Sequence, residues 1–93
     1  MQFEWDPNKA ELNFRRHQVS FEEAMEAFFD VNAVDEFDKK HSFDEDRYNL
    51  IGLSSRRLLF VVYAEYSLEE EVVIRIISAR KTEGKYRRLY EQR

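Results

Sequence analysis

The sequence predicts one small α+β domain spanning residues 1–93, in which two N-terminal helices precede a four-stranded, mainly antiparallel sheet and a C-terminal helix. Three observations lead to this order, ααββββα. Helix-capping patterns mark the N-terminal third, the apolar period changes from 3.6 to 2 after Asp30, and the connections between the last three strands are too short for parallel crossovers. Eight Phe, five Tyr and one Trp supply the large side chains that so small a core needs.

Capping patterns place the first two helices. Asp6 followed by Pro7 predicts a helix start, because aspartate accepts backbone N–H bonds at the N-cap and proline loses nothing at the first helical position. The pattern SFEE at 20–23 is a capping box, in which Ser20 caps the Glu23 N–H and the Glu23 carboxylate reaches back. The expected bounds are Pro7 to about Arg16 for the first helix and Ser20 to about Phe29 for the second.

Runs rich in β-branched and aromatic residues predict four strands after Asp30. The uninterrupted apolar run from Leu58 to Tyr63 is typical of a central strand that is buried on both faces. We expect the last two strands to be adjacent, antiparallel and central, with both N-terminal helices on one face of the sheet. The expected strands are Ala33–Phe37, Arg47–Leu53, Leu58–Tyr66 and about Glu71–Ala79, with a charged loop at 38–46 and turns at 54–57 and 67–70.

A basic amphipathic pattern closes the chain and predicts a helix from about Thr82. Its N-terminus would offer backbone N–H donors to a phosphate. The residues expected to dock on the sheet are Tyr86, Leu89 and Tyr90, and those expected to face solvent are Lys85, Arg87 and Arg88.

Charge is polarised along the chain. The segment Val72–Arg93 carries seven Lys and Arg but two Asp and Glu, a local charge of +5 on a chain whose net charge is −4. We therefore expect the C-terminal part to bind an anion, while the acidic remainder stays soluble or meets a basic partner.

Several classes of protein are excluded. The chain has no Cys, which excludes disulfides, thiolate nucleophiles and Cys-based zinc sites. The N-terminus lacks the basic and apolar regions of a signal peptide, and no apolar run approaches the roughly 20 residues of a membrane span. We expect a cytoplasmic protein without a membrane partner.

Arg75 is notable because it interrupts an apolar strand, VVIRII. Strict alternation places it on the face of Val73 and Ala79 and places Arg80 on the opposite face. An arginine there must be paired or exposed, since an unpaired buried charge is too costly. Glu65 on the neighbouring strand is the natural salt-bridge partner. A phosphate site and a structural salt bridge are equally open, and both hold if Glu65 positions Arg75.

The other charged candidates have weaker signals. On pattern alone, Arg80 and Lys81 are typical of a solvated strand end, and Lys9 of a surface lysine that can reach a phosphate. His17 closes the first helix, where a histidine usually partners the helix dipole. His41 lies among aspartates in the charged loop without the helical spacing that fixes metal ligands. We expect no metal site and no cofactor.

Six segments, taken in order, carry a resemblance to a known family. They are EWDPNKA at 4–10, HQVSFEEA at 17–24, RYNLIG at 47–52, VVYAE at 61–65, IRIISARK at 74–81 and YE at 90–91. Together they closely resemble the BrnT family of type II toxin–antitoxin toxins over nearly the whole chain. The departures are Gln18, where the family usually has Gly, Tyr86, where it usually has Glu, and the stretch 67–71, which lengthens the third hairpin.

The resemblance implies a RelE-like fold and a metal-independent endoribonuclease that cleaves RNA and inhibits translation. It also implies a ribbon-helix-helix antitoxin, BrnA-like, that masks the toxin in a hetero-oligomer and alone contacts operator DNA. The family's positions fall on Lys9, His17, Arg75, Arg80 and Lys81, with Glu65. We expect the catalytic residues to be Arg75, Arg80, Lys81, His17 and Glu65, and the RNA contacts to be Lys9, Arg16, Lys85 and Arg88.

Two classes of function stay open at this stage. Metal-free RNA cleavage needs help in deprotonating the 2′-OH, positive charge on the phosphate and a proton for the departing 5′ oxygen. Arginine suits the second task, because its planar fork of donors matches phosphate oxygens and stays charged. The alternative is a non-catalytic interaction module that keeps the fold and the antitoxin interface.

Overall fold

The computed structural model describes residues 1–92 and shows a five-stranded mixed sheet with three helices. The elements are β1 (Gln2–Glu4), α1 (Pro7–His17), α2 (Phe21–Ala27), β2 (Val34–Phe37), a 3-10 turn (Lys39–His41), β3 (Arg47–Leu53), β4 (Leu58–Leu68), β5 (Glu71–Lys81) and α3 (Lys85–Gln92). The strand order in the sheet is β1-β5-β4-β3-β2; β1 runs parallel to β5, and the other neighbours are antiparallel.

The expectation of four strands is wrong, because Gln2–Glu4 forms a fifth strand beside β5. Three residues are too few to show a recognisable alternation in sequence. The prediction for the last two strands is confirmed: β4 and β5 are antiparallel neighbours, and each has a further strand on its other side.

A β-bulge interrupts β5 at Ile77. Val62 of β4 pairs with Ser78, whereas the next residue of β4, Tyr63, pairs with Ile76. Ile77 is therefore the extra residue, with no partner opposite it. An extra residue in one strand reverses the facing of every side chain beyond it, because side chains alternate with a period of two.

The bulge places Arg75 and Arg80 on the same face of the sheet. Arg75 pairs with Ala64 and Arg80 with Phe60, two residues of β4 that alternation puts on one face. Ala79 points the other way, into the core beneath the helices. The expectation that Arg75 shares a face with Ala79 and opposes Arg80 is therefore wrong.

Apolar side chains pack on both faces of the sheet. As predicted, α1 and α2 cover one face, where the main core lies. A smaller cluster on the other face lies against α3 and consists of Ile51, Leu58, Phe60 and Tyr90, with Val62 and Tyr86 beside it. Tyr86 and Tyr90 therefore dock as expected, but Leu89 does not, since it is 45% exposed.

β1 pairs only with residues 73–75 of β5, so the rest of that edge of β5 has no neighbouring strand. At Ala79 the side chain of Asn13 takes the place of such a strand. Its buried Nδ2 donates to the Ala79 carbonyl at 2.8 Å, and its Oδ1 accepts from the Ala79 N–H at 3.1 Å. Nδ2 also donates to the Val19 carbonyl at 3.0 Å. Asn13 thereby links α1 to the bulged end of β5 and to the entry of α2.

Gly52 allows α2 to approach β3 closely. A Cβ at this position would lie 2.8 Å from the Ala27 carbonyl oxygen, closer than real Cβ contacts. The glycine of the segment RYNLIG is thus required by helix–sheet packing.

Several element ends differ from the expected ones. α2 ends at Ala27, and β5 continues to Lys81. The Thr82 N–H donates to the Leu58 carbonyl, and α3 begins only at Lys85, so the phosphate site expected at a Thr82 helix start is wrong. The stretch at 67–71 lengthens β4 and β5 and not the loop between them. Only Glu69 and Glu70 form the turn, with φ of 51° and 68°.

The capping predictions are confirmed in part. Asp6 accepts from the Asn8 and Lys9 N–H groups, and Ser20 accepts from the Glu23 N–H. The Glu23 carboxylate does not reach back to the helix start. It forms an ion pair with Arg57, with Nη2 2.8 Å from Oε1 and Nε 3.0 Å from Oε2.

We expect Glu23→Gln to lower the free energy of unfolding by about 2 kcal/mol at pH 7, because hydrogen bonds to a charged group are stronger than neutral ones. The hydrogen bond from Arg57 holds the pKa of Glu23 below its ordinary value of 4.5, although burial opposes this. The stabilisation is therefore present above the unfolded-state pKa and is lost as pH falls through the folded-state pKa. Urea unfolding of parent and variant should differ at pH 7, and the difference should shrink as the pH falls below 4.5; a constant difference would contradict this.

Gln18 ends α1 in the left-handed conformation, with φ 60° and ψ 30°, and its N–H donates to the Phe14 carbonyl at 2.8 Å. This is a position that glycine favours. We expect Gln18→Gly to raise the free energy of unfolding by about 0.5 to 1 kcal/mol, since a side chain is strained there. Gln18→Ala is the control in urea unfolding, because it keeps the strain; equal stabilisation by both would refute the explanation.

Candidate active site

A cleft of about 540 Å³ opens on the sheet face opposite α1 and α2, and we call it the sheet cleft. β3, β4, β5, α3 and the segment around the 3-10 turn all contribute to it. The lining residues are Glu36, Asp38, Lys40, His41, Arg47, Asn49, Phe60, Val62, Ile77, Ser78, Arg80 and Tyr86. The cleft combines cationic, aromatic and imidazole side chains.

Arg80 is a cation of the cleft that stacks on an aromatic ring. Its guanidinium lies over the Phe60 ring, 4.6 Å from the ring centroid, and Phe60 packs against Tyr86 with ring centroids 4.7 Å apart. Within residues 1–92, no carboxylate forms an ion pair with Arg80. A guanidinium stacked on a ring keeps its fork of donors free for an anion.

Arg75 is already engaged on the same face. It forms an ion pair with Glu45 of the charged loop, and Glu45 also lies 3.8 Å from the Arg47 guanidinium. The expected pairing with Glu65 is wrong, since Glu65 pairs with Ile74 in the β4–β5 register and therefore lies on the opposite face. Arg75 is thus partly neutralised by its own chain, unlike Arg80.

A second hollow, of about 260 Å³, lies between α1 and β5, and we call it the α1 groove. Its lining residues are Lys9, Leu12, Asn13, Arg16, His17, Ile77 and Ser78. Ile77 and Ser78 also line the sheet cleft, so only the bulged segment of β5 separates the two hollows. Lys9 and Arg75 meet in a small recess beside Asp6. Cationic side chains therefore continue from α1 around the bulge to Arg80.

Comparison with protein families identifies the chain. Residues 5–85 match the model of a family described as the ribonuclease toxin, BrnT, of type II toxin–antitoxin systems. The chain belongs to the BrnT family. No curated protein matches it. Membership makes it a toxin of the ribonuclease type whose partner is a protein antitoxin, and the RelE-like assignment stays a prediction.

Residues 5–85, which match the BrnT model, include every lining residue of the two hollows except Tyr86. Of the residues expected to act, Arg80 lies in the sheet cleft, and Lys9, Arg16 and His17 lie in the α1 groove. Lys85 begins α3 with its Nζ 5.2 Å from the centroid of the Tyr86 ring, at the wall of the cleft. Arg88 is exposed further along α3.

Three of the expected catalytic residues line neither hollow of this BrnT family member. Arg75 lies in the small recess beside Asp6 and Lys9. Lys81 pairs with Leu59, whose side chain lies in the main core, so Lys81 lies on the face opposite Arg80. Glu65 lies with the acidic tip of the β4–β5 hairpin, beside Met1 and Glu69.

Sequence reasoning missed Arg47, Asn49, Tyr86 and the pair formed by Asp38 and His41. Alternation along β3 predicts that Arg47 and Asn49 lie on the same face of the sheet. The sequence of β3 does not show, however, which face of the sheet carries a cleft. The spacing of Asp38 and His41 suits one turn of 3-10 helix, and His41 Nδ1 lies 2.8 Å from Asp38 Oδ2. The hydrogen bond from His41 is the main reason that the pKa of Asp38 is lowered.

Within residues 1–92, no group of three or more His, Asp and Glu side chains is placed to hold a metal ion. No helix in this range has both the length and the apolar character needed to cross a bilayer.

Proposed function

We propose that this BrnT family member is an active, metal-independent endoribonuclease that binds the scissile phosphate of RNA in the sheet cleft beside Arg80. The β-bulge at Ile77 carries the proposal. It turns Arg80 to the face that also holds Ser78 and Arg47, and it leaves the guanidinium stacked on an aromatic platform.

Arg80 would act on the charge that develops at phosphorus. As the 2′ oxygen attacks, the phosphate becomes pentacoordinate and its non-bridging oxygens gain negative charge. A planar fork of N–H donors, fixed before the reaction, stabilises that charge more in the transition state than in the ground state. Cleavage then leaves a 2′,3′-cyclic phosphate on one product and a 5′-OH on the other.

The α1 groove would hold the flanking nucleotides. Lys9, Arg16 and His17 border it and are exposed, so they can contact phosphates on the far side of the bulge. Lys85 and Arg88 extend the cationic surface along α3. Contacts to phosphates supply affinity that depends on salt and not on sequence. Lys81 and Glu65 do not enter this proposal, because they lie on the other face.

The purified protein incubated with a single-stranded RNA oligonucleotide tests the proposal. We expect cleavage with a 2′,3′-cyclic phosphate product, an unchanged rate in EDTA, and no cleavage where a 2′-deoxy nucleotide replaces the one at the cleaved bond. Loss of cleavage in EDTA would overturn metal independence. No cleavage by a folded protein that still binds its antitoxin would favour the interaction module.

We also propose that the antitoxin is a ribbon-helix-helix protein, BrnA-like, that covers the sheet cleft in a cytoplasmic hetero-oligomer and contacts operator DNA itself. The toxin is acidic outside residues 72–93, so a basic segment of such a partner suits that surface while another part of the partner covers the cationic cleft. A specific interface would bury on the order of 1,200 to 2,000 Å² in total. Size-exclusion chromatography of the co-expressed pair should give one peak without ribonuclease activity; separate elution at micromolar concentration would contradict this.

A further inference from the structure

Asp38 and His41 form a carboxylate–imidazole pair at the wall of the sheet cleft. The Asp38 side chain is mostly buried, at 16% exposure, whereas that of His41 is 63% exposed. Asp38 Oδ2 lies 2.8 Å from His41 Nδ1, and Oδ1 accepts the Lys40 N–H at 3.2 Å. The carboxylate is therefore held by its own turn, and the ring that it orients faces solvent in the cleft.

The hydrogen bond determines which ring nitrogen carries the proton. His41 and the backbone N–H groups keep the pKa of Asp38 below its ordinary value, so its carboxylate is ionised at neutral pH and can only accept. Nδ1 must then be the donor. In the neutral ring this leaves Nε2 as a lone-pair acceptor, and within residues 1–92 no side chain or backbone group bonds to it.

The turn that carries His41 is fixed to the sheet. The Asp38 N–H donates to the Arg47 carbonyl at 2.8 Å, and the Arg47 N–H donates to Ser42 Oγ at 3.0 Å. These bonds connect the end of β2 to the start of β3. His41 thus shares the sheet cleft with Arg80, which supplies the phosphate contact.

From this geometry we propose that His41 is the general base of RNA cleavage and Asp38 its positioning residue. This role rests on the proposed ribonuclease function, in which a base must remove the proton of the 2′-OH. His41 Nε2 takes the proton of the 2′-OH as the bond from the 2′ oxygen to phosphorus forms. The bond from phosphorus to the 5′ oxygen breaks, the 5′ oxygen takes a proton from water, and the imidazolium returns its proton to the hydroxide left behind.

Charged groups of both signs surround the ring, so its titration must be measured directly. The acidic groups besides Asp38 are Glu36, Asp44 and Glu45, and the basic ones are Lys40, Arg47 and Arg80. Nitrogen-15 NMR of the labelled histidine in the full chain reports both the tautomer and the pH of titration. We expect the Nδ1–H tautomer in the parent, and faster cleavage at pH values where the NMR spectrum shows a neutral ring than where it shows a protonated one.

Variants separate a chemical role from a structural one. We expect His41→Ala to lower cleavage by about 10² to 10⁴-fold, the usual contribution of a positioned base. Added imidazole should restore part of this activity, because the ring it replaces is exposed and leaves an open site. Asp38→Asn should lower cleavage at least about tenfold and change the His41 tautomer. Lys39→Ala, on the same turn but outside the cleft, is the matched control and should cleave like the parent.

The outcomes are distinct. If the parent cleaves RNA and depends on Arg80, while His41→Ala cleaves equally well or is inactive without rescue by imidazole, the role of His41 is overturned and the proposed function stands. A parent that cleaves no RNA overturns both. Each variant is first required to melt within a few degrees of the parent and to bind the antitoxin, so that a folding defect is recognised.

Discussion

Arg80→Ala is expected to lower the rate of RNA cleavage by about 10² to 10³-fold, the usual loss when one preorganised donor is removed from a charged transition state. Arg80 is exposed and its guanidinium stacks on Phe60 in the sheet cleft, so its removal deletes the proposed phosphate contact without deleting a buried side chain. Single-turnover cleavage of one RNA oligonucleotide measures the effect. Arg80→Lys should recover only part of the rate, because an ammonium lacks the planar fork.

Two arginine variants serve as comparisons. Arg75→Ala should reduce cleavage less than Arg80→Ala, since Glu45 already occupies the Arg75 guanidinium. Arg15→Ala removes an exposed arginine that pairs with Glu11 at 2.6 Å, away from both hollows, and should cleave like the parent. A folded Arg80→Ala protein that cleaves as fast as the Arg15→Ala control would exclude the assigned mechanism.

Asn13→Ala is expected to lower the free energy of unfolding by about 3 kcal/mol. The change leaves three buried backbone groups without their partner: the N–H and carbonyl of Ala79 and the carbonyl of Val19. Each unsatisfied group costs on the order of 1 kcal/mol or more. For a chain of this size the melting temperature should fall on the order of 10 to 20 °C.

The matched control for Asn13 is Asn8→Ala. Asn8 is exposed on the same helix, so its replacement should change the free energy of unfolding by less than about 0.5 kcal/mol. Urea unfolding of both variants checks the prediction. A similar loss in both would show that α1 helix propensity, and not the bond to β5, explains the effect.

Asn13 also connects stability with the site. It bonds Ala79 between the bulge and Arg80, on the edge of β5 where β1 no longer supplies a partner. Loosening this bond should let the end of β5 move and displace Arg80 from its platform. We therefore expect Asn13→Ala to lose cleavage at temperatures where it is still folded.

Much of the fold follows from local sequence patterns. The Asp6 and Ser20 caps start α1 and α2, and the apolar run at 58–63 lies in a central strand, as expected. The cap predictions succeed because a capping side chain bonds a backbone N–H only two or three residues away. The strand prediction succeeds because a strand that is buried on both faces carries an uninterrupted run of apolar residues. The same sequence also carries the segments that resemble the BrnT family, which the family comparison confirms.

The site depended on contacts that no local pattern contains. Ile77 is a bulge because the pairing of β5 with β4 shifts by one residue there, and this bulge brings Arg80 to the face of Arg75. Arg75 pairs with Glu45 and not with Glu65, although Glu65 is nearer in sequence, because the Glu65 side chain lies on the opposite face of the sheet. The amino-acid sequence by itself therefore determined most of the helices and strands, although not β1, together with the charge polarity and the family of this protein. The tertiary structure decided which cations share a cleft, because one unpaired residue reverses the facing of the side chains beyond it.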